Sequence, residues 1–193
     1  LDLFPVNYLD YTFITHKTCL TERGEPDYCL PAAYNPEKDR LLKNEKGSFV
    51  DVSKATGIDQ KTGNGLGVVA GDYDQDGDLD FYVANDLMPN HLWLQQPDGT
   101  FVDDGLASGA AVNREGKAEA SMGVDAADFD GDGVLDLFMT HLTGETNTFF
   151  RNDGEGNFND ETLATGLGPA SRSFTSFGTS AFDYDTDGWL DIF

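Results

Sequence analysis

The sequence predicts an all-β protein built from β-propeller blades, each with four antiparallel strands. An acidic nine-residue loop occurs three times at nearly constant spacing, each repeat unit holds about four short extended segments separated by Gly, Asn, Asp and Pro turns, and no stretch has the apolar period of a long helix. A repeat of about 40 to 60 residues with four strands is typical of a propeller blade. At a period of about 55 residues, the 193-residue chain corresponds to about 3.5 blades, so we expect it to be part of a larger propeller.

The acidic loops occupy residues 72–80, 128–136 and 183–191, and their first residues lie 56 and then 55 positions apart. Each loop has aspartate at positions 1, 3, 5 and 9 and glycine at position 6. Carboxylates at positions 1, 3 and 5 point into a tight loop, the glycine permits the sharp turn, position 7 can offer its backbone carbonyl, and position 9 closes the cage. The candidate metal ligands are Asp72, Asp74, Asp76, Asp78 and Asp80 in the first loop, Asp128, Asp130, Asp132, Val134 and Asp136 in the second, and Asp183, Asp185, Asp187, Trp189 and Asp191 in the third.

The chemistry of these loops indicates calcium. Oxygen ligands suit Ca²⁺, whereas zinc and copper prefer nitrogen or sulfur. The loops differ from an EF-hand, which is longer, ends in a bidentate Glu and lies between helices. Asp and Gly also form turns without any metal, which would be the simpler interpretation of a single loop. Four carboxylates so close together repel one another strongly, however, and the arrangement occurs three times, so we predict about three bound Ca²⁺ ions.

Short extended segments flank each acidic loop. The first loop is preceded by Gly67-Val-Val-Ala-Gly71 and followed by Phe81-Tyr-Val-Ala84, and the flanks of the other two loops have the same character. β-Branched and aromatic residues bounded by glycine are typical of strands. Each acidic loop is therefore predicted to be the turn of a β-hairpin.

A second signature, Gly-x-Phe-x-Asp, recurs between the acidic loops at 47–51, 99–103 and 156–160. A strand-like segment precedes each signature and an Ala-x-Gly motif follows it, so the repeat register extends over whole units. The recurring Phe is expected to fill the space between neighbouring blades. The Asp two residues later is interpreted as a turn or ladder acceptor rather than a catalyst.

The repeats divide the chain into two parts. Residues 40–193 contain three repeats in register, whereas residues 1–39 are interpreted as a partial blade or an insertion. Cys19 and Cys29 lie ten positions apart in this first part; they would form a local disulfide in an oxidising compartment, and the alternative is two unrelated reduced thiols. A polar insertion at 113–120 lengthens the connection from the recurring Phe to the next acidic loop to 27 residues, against 23 and 25 elsewhere. Such insertions form either binding surfaces or solvated loops.

Composition restricts the partners. Twelve basic residues against 35 acidic ones give a net charge of −23 and a pI near 4.1, which argues against nucleic acid and anionic membrane surfaces as partners. No run of about 18 apolar residues occurs, so no membrane insertion is expected.

No motif in the sequence predicts catalysis. There is no Gly-x-Ser-x-Gly elbow, no His-Glu-x-x-His and no Walker glycine loop. His16, His91 and His141 occupy non-equivalent positions in the repeat and are expected to be turn or surface residues. An acid pair for glycoside cleavage stays open, because 35 carboxylates always offer some close pair and abundance alone is no evidence. We therefore predict that the chain is not an enzyme.

Several of these motifs resemble a known family. The Phe177-Gly178 step that leads into an acidic loop resembles the FG-GAP/VCBS repeat of integrin-α-type propellers. The run at 65–72, the Gly-Glu-Thr-Asn at 144–147 and the Cys19–Cys29 region resemble the cartilage acidic protein-like branch of that family. The resemblance implies a seven-bladed, Ca²⁺-binding, extracellular propeller that serves adhesion or ligand presentation.

Three functional hypotheses follow from the sequence. The favoured one is a non-enzymatic extracellular or cell-surface scaffold whose Ca²⁺ ions rigidify the hairpin turns and whose inter-blade loops bind a protein or glycan ligand. One alternative is the scaffold or sugar-binding part of a polysaccharide-processing enzyme. The other is a subunit of an extracellular fibre that self-assembles through open blade edges.

Overall fold

The structure is a computed structural model that describes residues 1–193. It contains 14 strands and only short helices: α1 (Ser53–Thr56), α2 (Gly105–Ser108), α3 (Leu167–Ser171) and the 3₁₀ turns Pro31–Ala33 and Ile58–Gln60. None of these helices has the length and apolar character that crossing a membrane requires. The strands are β1 (Cys19–Leu20), β2 (Pro26–Asp27), β3 (Leu42–Glu45), β4 (Ser48–Asp51), β5 (Gly65–Gly71), β6 (Asp80–Asn85), β7 (His91–Gln95), β8 (Phe101–Asp103), β9 (Val124–Ala127), β10 (Asp136–Met139), β11 (Thr148–Asn152), β12 (Phe158–Asp160), β13 (Ala181–Phe182) and β14 (Asp191–Ile192).

The strands form two complete blades and two half-blades. Strands β5-β6-β7-β8 and β9-β10-β11-β12 make two four-stranded antiparallel sheets in which every strand pairs with its neighbour along the chain. The pair β3–β4 matches the last two strands of a blade and β13–β14 matches the first two, while β1–β2 is a separate hairpin. The predicted all-β class with four-stranded propeller blades is confirmed. The division at residue 39 stays a prediction.

An apolar core lies between the two complete blades. It combines side chains of the first complete blade with side chains of the second, and the recurring Phe158 is one of its members. The equivalent Phe101 is buried in a second cluster that reaches back to Leu41 and Ile58, whereas Phe49 in the first half-blade is 47% exposed. The recurring Phe therefore packs between neighbouring units at two of its three positions. Members of the first cluster are Tyr73, Tyr82, Leu92, Ala110, Leu137, Met139, Phe150 and Phe158.

The segments that lead into or begin the first strands of neighbouring blades approach each other so closely that only glycine fits between them. A Cβ atom on Gly67 would overlap the carbonyl oxygen of Met122, and a Cβ on Gly123 would overlap that of Phe177. Met122 and Phe177 each directly precede the glycine of the following repeat, so the contact itself repeats from blade to blade. These glycines have no positive φ, so close approach is the reason for them.

The predicted disulfide is confirmed. Cys19 and Cys29 are bonded with their Cα atoms 5.2 Å apart, inside the usual range for such bridges. Cys19 belongs to β1 and Cys29 follows β2, so the bond closes a small hairpin at the surface. No free cysteine remains.

Asp39 provides a test of how burial affects stability. Its side chain is 3% exposed, its Oδ1 accepts only the Asn7 backbone N–H (3.0 Å), and burial raises its pKa from 3.8 to about 6. Because folding raises the pKa of Asp39, its contribution to the free energy of unfolding is highest below pH 3.8, where the carboxyl is protonated in both states. This contribution then falls as pH rises through about 6, where the buried carboxyl must ionise. Asp39→Asn should therefore stabilise the protein at pH above 7, by at most about 3 kcal/mol, and lose that advantage near pH 4. Urea unfolding of both proteins at the two pH values measures the difference; an equal difference at both would contradict the burial argument.

Candidate metal sites

Each acidic loop is the tip of a hairpin between the first two strands of a blade. The pairs Gly71–Asp80, Ala127–Asp136 and Phe182–Asp191 close the strands, and the loop residues between them are unpaired. The three tips point to the same end of their blades, because each follows the first strand and precedes the second. The predicted hairpin turns are therefore present in all three repeats.

The first tip brings three carboxylates together. Oxygens of Asp72, Asp74 and Asp80 all lie within 4.8 Å of one another. One oxygen of Asp72 accepts the Gly77 N–H (3.1 Å), while its other oxygen is buried and has no hydrogen-bond partner. Gly77 has φ +92°, a conformation that favours glycine and lets the chain fold back over the carboxylates. A buried carboxylate oxygen without a partner is costly unless a cation accompanies it.

The other two tips repeat this arrangement with one variation. In the second tip the clustered carboxylates belong to Asp128, Asp130 and Asp132, and in the third to Asp183, Asp185 and Asp191. Each cluster thus contains three of the four predicted carboxylates. Positions 1 and 3 belong to every cluster, and the third member is position 9 or position 5.

The position-5 aspartates have the same local role in every tip. The side chains of Asp76, Asp132 and Asp187 each accept the backbone N–H of the residue at position 7, at 2.8 to 2.9 Å. This bond holds the peptide between positions 6 and 7, directly before the residue whose carbonyl is the predicted ligand. The side chain at that position is free to vary, as the change from Asp78 through Val134 to the 63% exposed Trp189 illustrates.

Position 9 has a structural role that the sequence did not reveal. Asp80 is fully buried, and its two oxygens accept the N–H groups of Tyr73 and Gln95, both at 2.9 Å. Asp136 makes the equivalent bonds to Phe129 and Asn152 (3.4 and 3.0 Å). Position 9 therefore ties the loop to the third strand of the blade. The sequence does not reveal these hydrogen bonds, because Gln95 and Asn152 become neighbours of Asp80 and Asp136 only when the strands pair.

Burial and neighbouring charge disfavour the metal-free carboxylates. Burial, with a smaller contribution from Asp74 and Asp76, raises the pKa of Asp80 to about 6, and burial also raises the pKa values of Asp74 and Asp136. A bound cation would reverse this effect by stabilising the charged form. An all-oxygen donor set with an unpartnered buried oxygen fits a hard divalent cation such as Ca²⁺ and does not fit zinc, for which no nitrogen or sulfur ligand is present.

The second tip differs from the first by an arginine. The guanidinium of Arg151 contacts the carboxylate of Asp130 and lies 3.7 Å from Glu161. In the preceding blade, Leu94 occupies the equivalent position of the third strand. Because the guanidinium pairs with a carboxylate of the cluster, it competes with a bound metal ion for that carboxylate.

Arg151→Leu is therefore expected to raise the calcium affinity of the second tip by up to about fivefold, since a partly exposed ion pair contributes up to about 1 kcal/mol. The reciprocal variant Leu94→Arg should weaken the first tip. Isothermal titration with Ca²⁺ measures both changes. An unchanged affinity in Arg151→Leu would show that the guanidinium moves aside at no cost.

Two histidines lie elsewhere than expected. His91 and His141 are buried, with 6% and 1% exposure, so the prediction that they are turn or surface residues was wrong. His91 begins β7, and His141 lies two residues after the end of the buried strand β10. Burial lowers the pKa of both, that of His141 to about 4. The buried apolar run Leu137-Phe-Met139 before His141 was the signal available in the sequence.

The blades and their acidic tips together define a propeller-repeat protein. Residues 23–83 and 72–139 match the family model described as FG-GAP-like repeat, and together these ranges cover more than half of the chain. The chain therefore belongs to the FG-GAP-like repeat family.

Curated relatives narrow the comparison. The chain is 29% identical over 157 residues to cartilage acidic protein 1 of Xenopus tropicalis. The aligned region covers 79% of this chain and 24% of that protein. The chain is 29% identical over 160 residues to cartilage acidic protein 1 of Mus musculus, with 79% and 24% covered, and 27% identical over 143 residues to that of Homo sapiens, with 74% and 21% covered. The predicted resemblance to the cartilage acidic protein-like branch is confirmed. The chain spans about a quarter of the length of these relatives.

Proposed function

We propose that this chain is the calcium-binding part of an extracellular β-propeller that acts as a non-enzymatic scaffold for adhesion or ligand binding. The observation that carries the proposal is the clustering of three carboxylates within 4.8 Å at each of three equivalent hairpin tips. Calcium would be held by the clustered aspartates and the position-7 carbonyls, and it would supply the positive charge that keeps each tip closed.

Closing the first tip also supports the packing between blades. Tyr73, the second residue of this loop, is fully buried, and its ring meets Phe158 of the next blade edge-on at 6.1 Å. Its carbonyl accepts a hydrogen bond from Asn152 Nδ2 of that blade (2.8 Å). The Tyr73 N–H is held by Asp80, so the residues that surround the cation also position the inter-blade contact. Metal binding at this tip would thus stabilise the joint between two blades.

An extracellular location is supported by the disulfide, by the character of the acidic tips and by the names of the relatives. The Cys19–Cys29 disulfide is of a kind that persists in oxidising compartments. Extracellular calcium modules bind with dissociation constants of about 10⁻⁴ to 10⁻³ M, which suits sites made of partly exposed carboxylates. The relatives carry cartilage in their name.

The half-blade at β13–β14 supports the alternative function, a fibre of several copies. In both complete blades a third strand pairs with the second, whereas here Phe182, Tyr184 and Trp189 are 47%, 71% and 63% exposed. In a fibre, strands of another copy would pair with β14 and cover side chains of this half-blade. Light scattering tests this alternative, because assembly through blade edges predicts a mass that rises with protein concentration.

Calcium binding is tested directly by titration and thermal unfolding. We expect about three bound ions per chain and a higher Tm in millimolar Ca²⁺ than in chelator. Free ion at 10 to 100 times the dissociation constant would stabilise the folded state by about 1.4 to 2.7 kcal/mol per site. Mg²⁺ should give a smaller shift, because it needs a tighter octahedral shell. Identical unfolding in Ca²⁺ and in chelator would refute the proposal.

A further inference from the structure

A polar pocket of about 400 Å³ lies at the end of the second complete blade away from the acidic tips. Its walls are residues 113–119 of the polar insertion, residues 144–148 leading into β11, and residues 160–163 at the end of β12. The first of these precedes β9 and the second follows β10, which places both opposite the tip that joins these strands. Only Ala118 and Leu163 among its lining residues are hydrophobic and none is aromatic, so the pocket offers no platform on which a sugar ring could stack.

Two glutamates in this pocket are held by neutral donors. The hydroxyl of Thr148 donates to Glu119 Oε2 (3.1 Å), and the Ala120 N–H donates to Glu145 Oε2 (3.0 Å). Neither carboxylate has a lysine or arginine nitrogen within 4.0 Å. Their orientation is therefore fixed while their charge is left unpaired.

The third carboxylate of the pocket, Asp160, differs from its counterparts in the other repeats. The equivalent Asp51 pairs with Arg40 and the equivalent Asp103 pairs with Lys61, both at 3.1 Å. Asp160 has no such partner. The chain itself therefore neutralises this carboxylate in the first two repeats. In the third repeat, Asp160 is available to a cation from outside the chain.

A buried histidine behind Glu119 gives a second, independent observation. The His141 side chain is 1% exposed, neither of its ring nitrogens has a hydrogen-bond partner, and Nε2 faces Glu119 Oε2 at 3.9 Å. Glu119 and Thr148 are walls of both the pocket and the small inner chamber that His141 lines. Burial lowers the pKa of His141 to about 4, so the neutral ring leaves the charge of Glu119 uncompensated at neutral pH. Burial, then the charges of Glu145 and Asp160, raise the pKa of Glu119, which means that the three carboxylates act on one another.

We propose that this pocket binds the ammonium or guanidinium group of a lysine or arginine side chain presented by a partner protein. Glu119 is the deepest anchor, and Glu145 and Asp160 flank it. Oriented carboxylates in a concave site form short charge-assisted hydrogen bonds with such groups. The only three-carboxylate clusters with oxygens within 4.8 Å are at the tips, so these pocket carboxylates are too widely spaced to surround one metal ion and suit a larger organic cation.

The rim of the pocket adds a second recognition element. Arg114 and Arg172 line it without an ion-pair partner, whereas Lys117 is paired with Glu115 (3.3 Å). These two guanidinium groups would contact carbonyl or carboxylate oxygens beside the basic residue of the partner. The pocket would supply the ligand-binding part of the proposed scaffold, and it lies apart from the metal sites, so either proposal can fail without the other.

Nuclear magnetic resonance of the ¹⁵N-labelled chain tests the pocket, with millimolar Ca²⁺ and physiological salt present throughout. The probe is acetyl-Gly-Arg-Gly-amide, and its matched control carries uncharged citrulline in place of arginine. We expect saturable shifts of the amides of Ala120, Glu145 and Thr162 with the arginine peptide only. Glu119→Gln and, separately, Glu145→Gln should weaken the binding by about fivefold or more, while Glu22→Gln at a remote exposed position leaves it unchanged.

Three results would overturn this proposal. One is equal binding of the citrulline peptide, and another is a set of shifts spread over the acidic surface instead of the pocket. The third is displacement of the peptide when Ca²⁺ is raised well above this level, with shifts of the same pocket amides, which would make the pocket a metal site. The amide spectrum and Tm of each variant establish that it is folded, and calcium stoichiometry, measured separately, reports on the tips alone.

Discussion

Replacing Gly123 with alanine is expected to lower the free energy of unfolding by about 3 kcal/mol or more. The new Cβ would overlap the Phe177 carbonyl oxygen and crowd the Thr140 hydroxyl, which accepts the Gly123 N–H at 2.9 Å. The obstacle is backbone of the next blade, so relief requires the two blades to separate. Urea unfolding with a linear extrapolation measures the change.

Gly178→Ala is the matched control for this variant. Gly178 occupies the same position in the third repeat, but a Cβ there meets nothing within 4 Å. It should therefore change stability by less than about 1 kcal/mol. If both variants lose the same amount of stability, crowding between blades is not the reason for the repeated glycine.

Asp74→Ala is expected to abolish calcium binding at the first tip and to leave the other two tips intact. The bound stoichiometry should fall by one, and the stabilisation by Ca²⁺ should fall by about 1.4 to 2.7 kcal/mol. In chelator, Asp74→Ala should leave the free energy of unfolding unchanged or raise it. Burial and the charges of Asp76 and Asp72 raise the pKa of Asp74 in the metal-free tip, so its ionised form is unfavourable there. Removing a carboxylate that is unfavourable without a cation cannot cost much stability there. Titration calorimetry and thermal unfolding, each with and without Ca²⁺, measure both halves of this result.

Asp51→Ala is the control for Asp74→Ala, because it removes an aspartate that is not a predicted metal ligand. Asp51 accepts hydrogen bonds from Ser53 and pairs with Arg40 but lies in no acidic cluster. Its replacement should lower stability by the same small amount in Ca²⁺ and in chelator, because the side chain is exposed and holds no ion. In Ca²⁺ it should cost less than Asp74→Ala. Equal, small losses for both variants in Ca²⁺ would contradict the assignment of the acidic loops.

Much of the architecture follows from local pattern. The acidic nonapeptide could be recognised as a hairpin tip because aspartate and glycine spacing is a property of the loop itself, and the strands beside it carry the expected residue types. The four-stranded blade followed from the period. The burial of Phe101 and Phe158 was expected from their recurrence, but the equally recurrent Phe49 is 47% exposed. The hairpin tips and their strands depend on residues close together in the chain, whereas burial of the Phe also depends on a neighbouring unit.

The site was predictable in part. The carboxylates at positions 1 and 3 lie together in every tip, and the third clustered carboxylate is at position 5 or position 9. That these residues bind an ion stays a prediction. Asp80 also binds Gln95, which is 15 positions away and becomes a neighbour only when β6 and β7 pair. The burial of His141 and its approach to Glu119 depend in the same way on the connection between blades.

The sequence alone determined the repeat, the composition of each hairpin tip and the all-oxygen character of its clustered side chains, because these depend on the order of residues along the chain. Only the tertiary structure decided which glycines lie against the backbone of another blade. It also decided which carboxylates have a lysine or arginine partner: Asp51 and Asp103 have one, and Asp160 has none. Those properties arise where blades or distant connections meet. Contacts between blades depend on geometry that no single repeat contains.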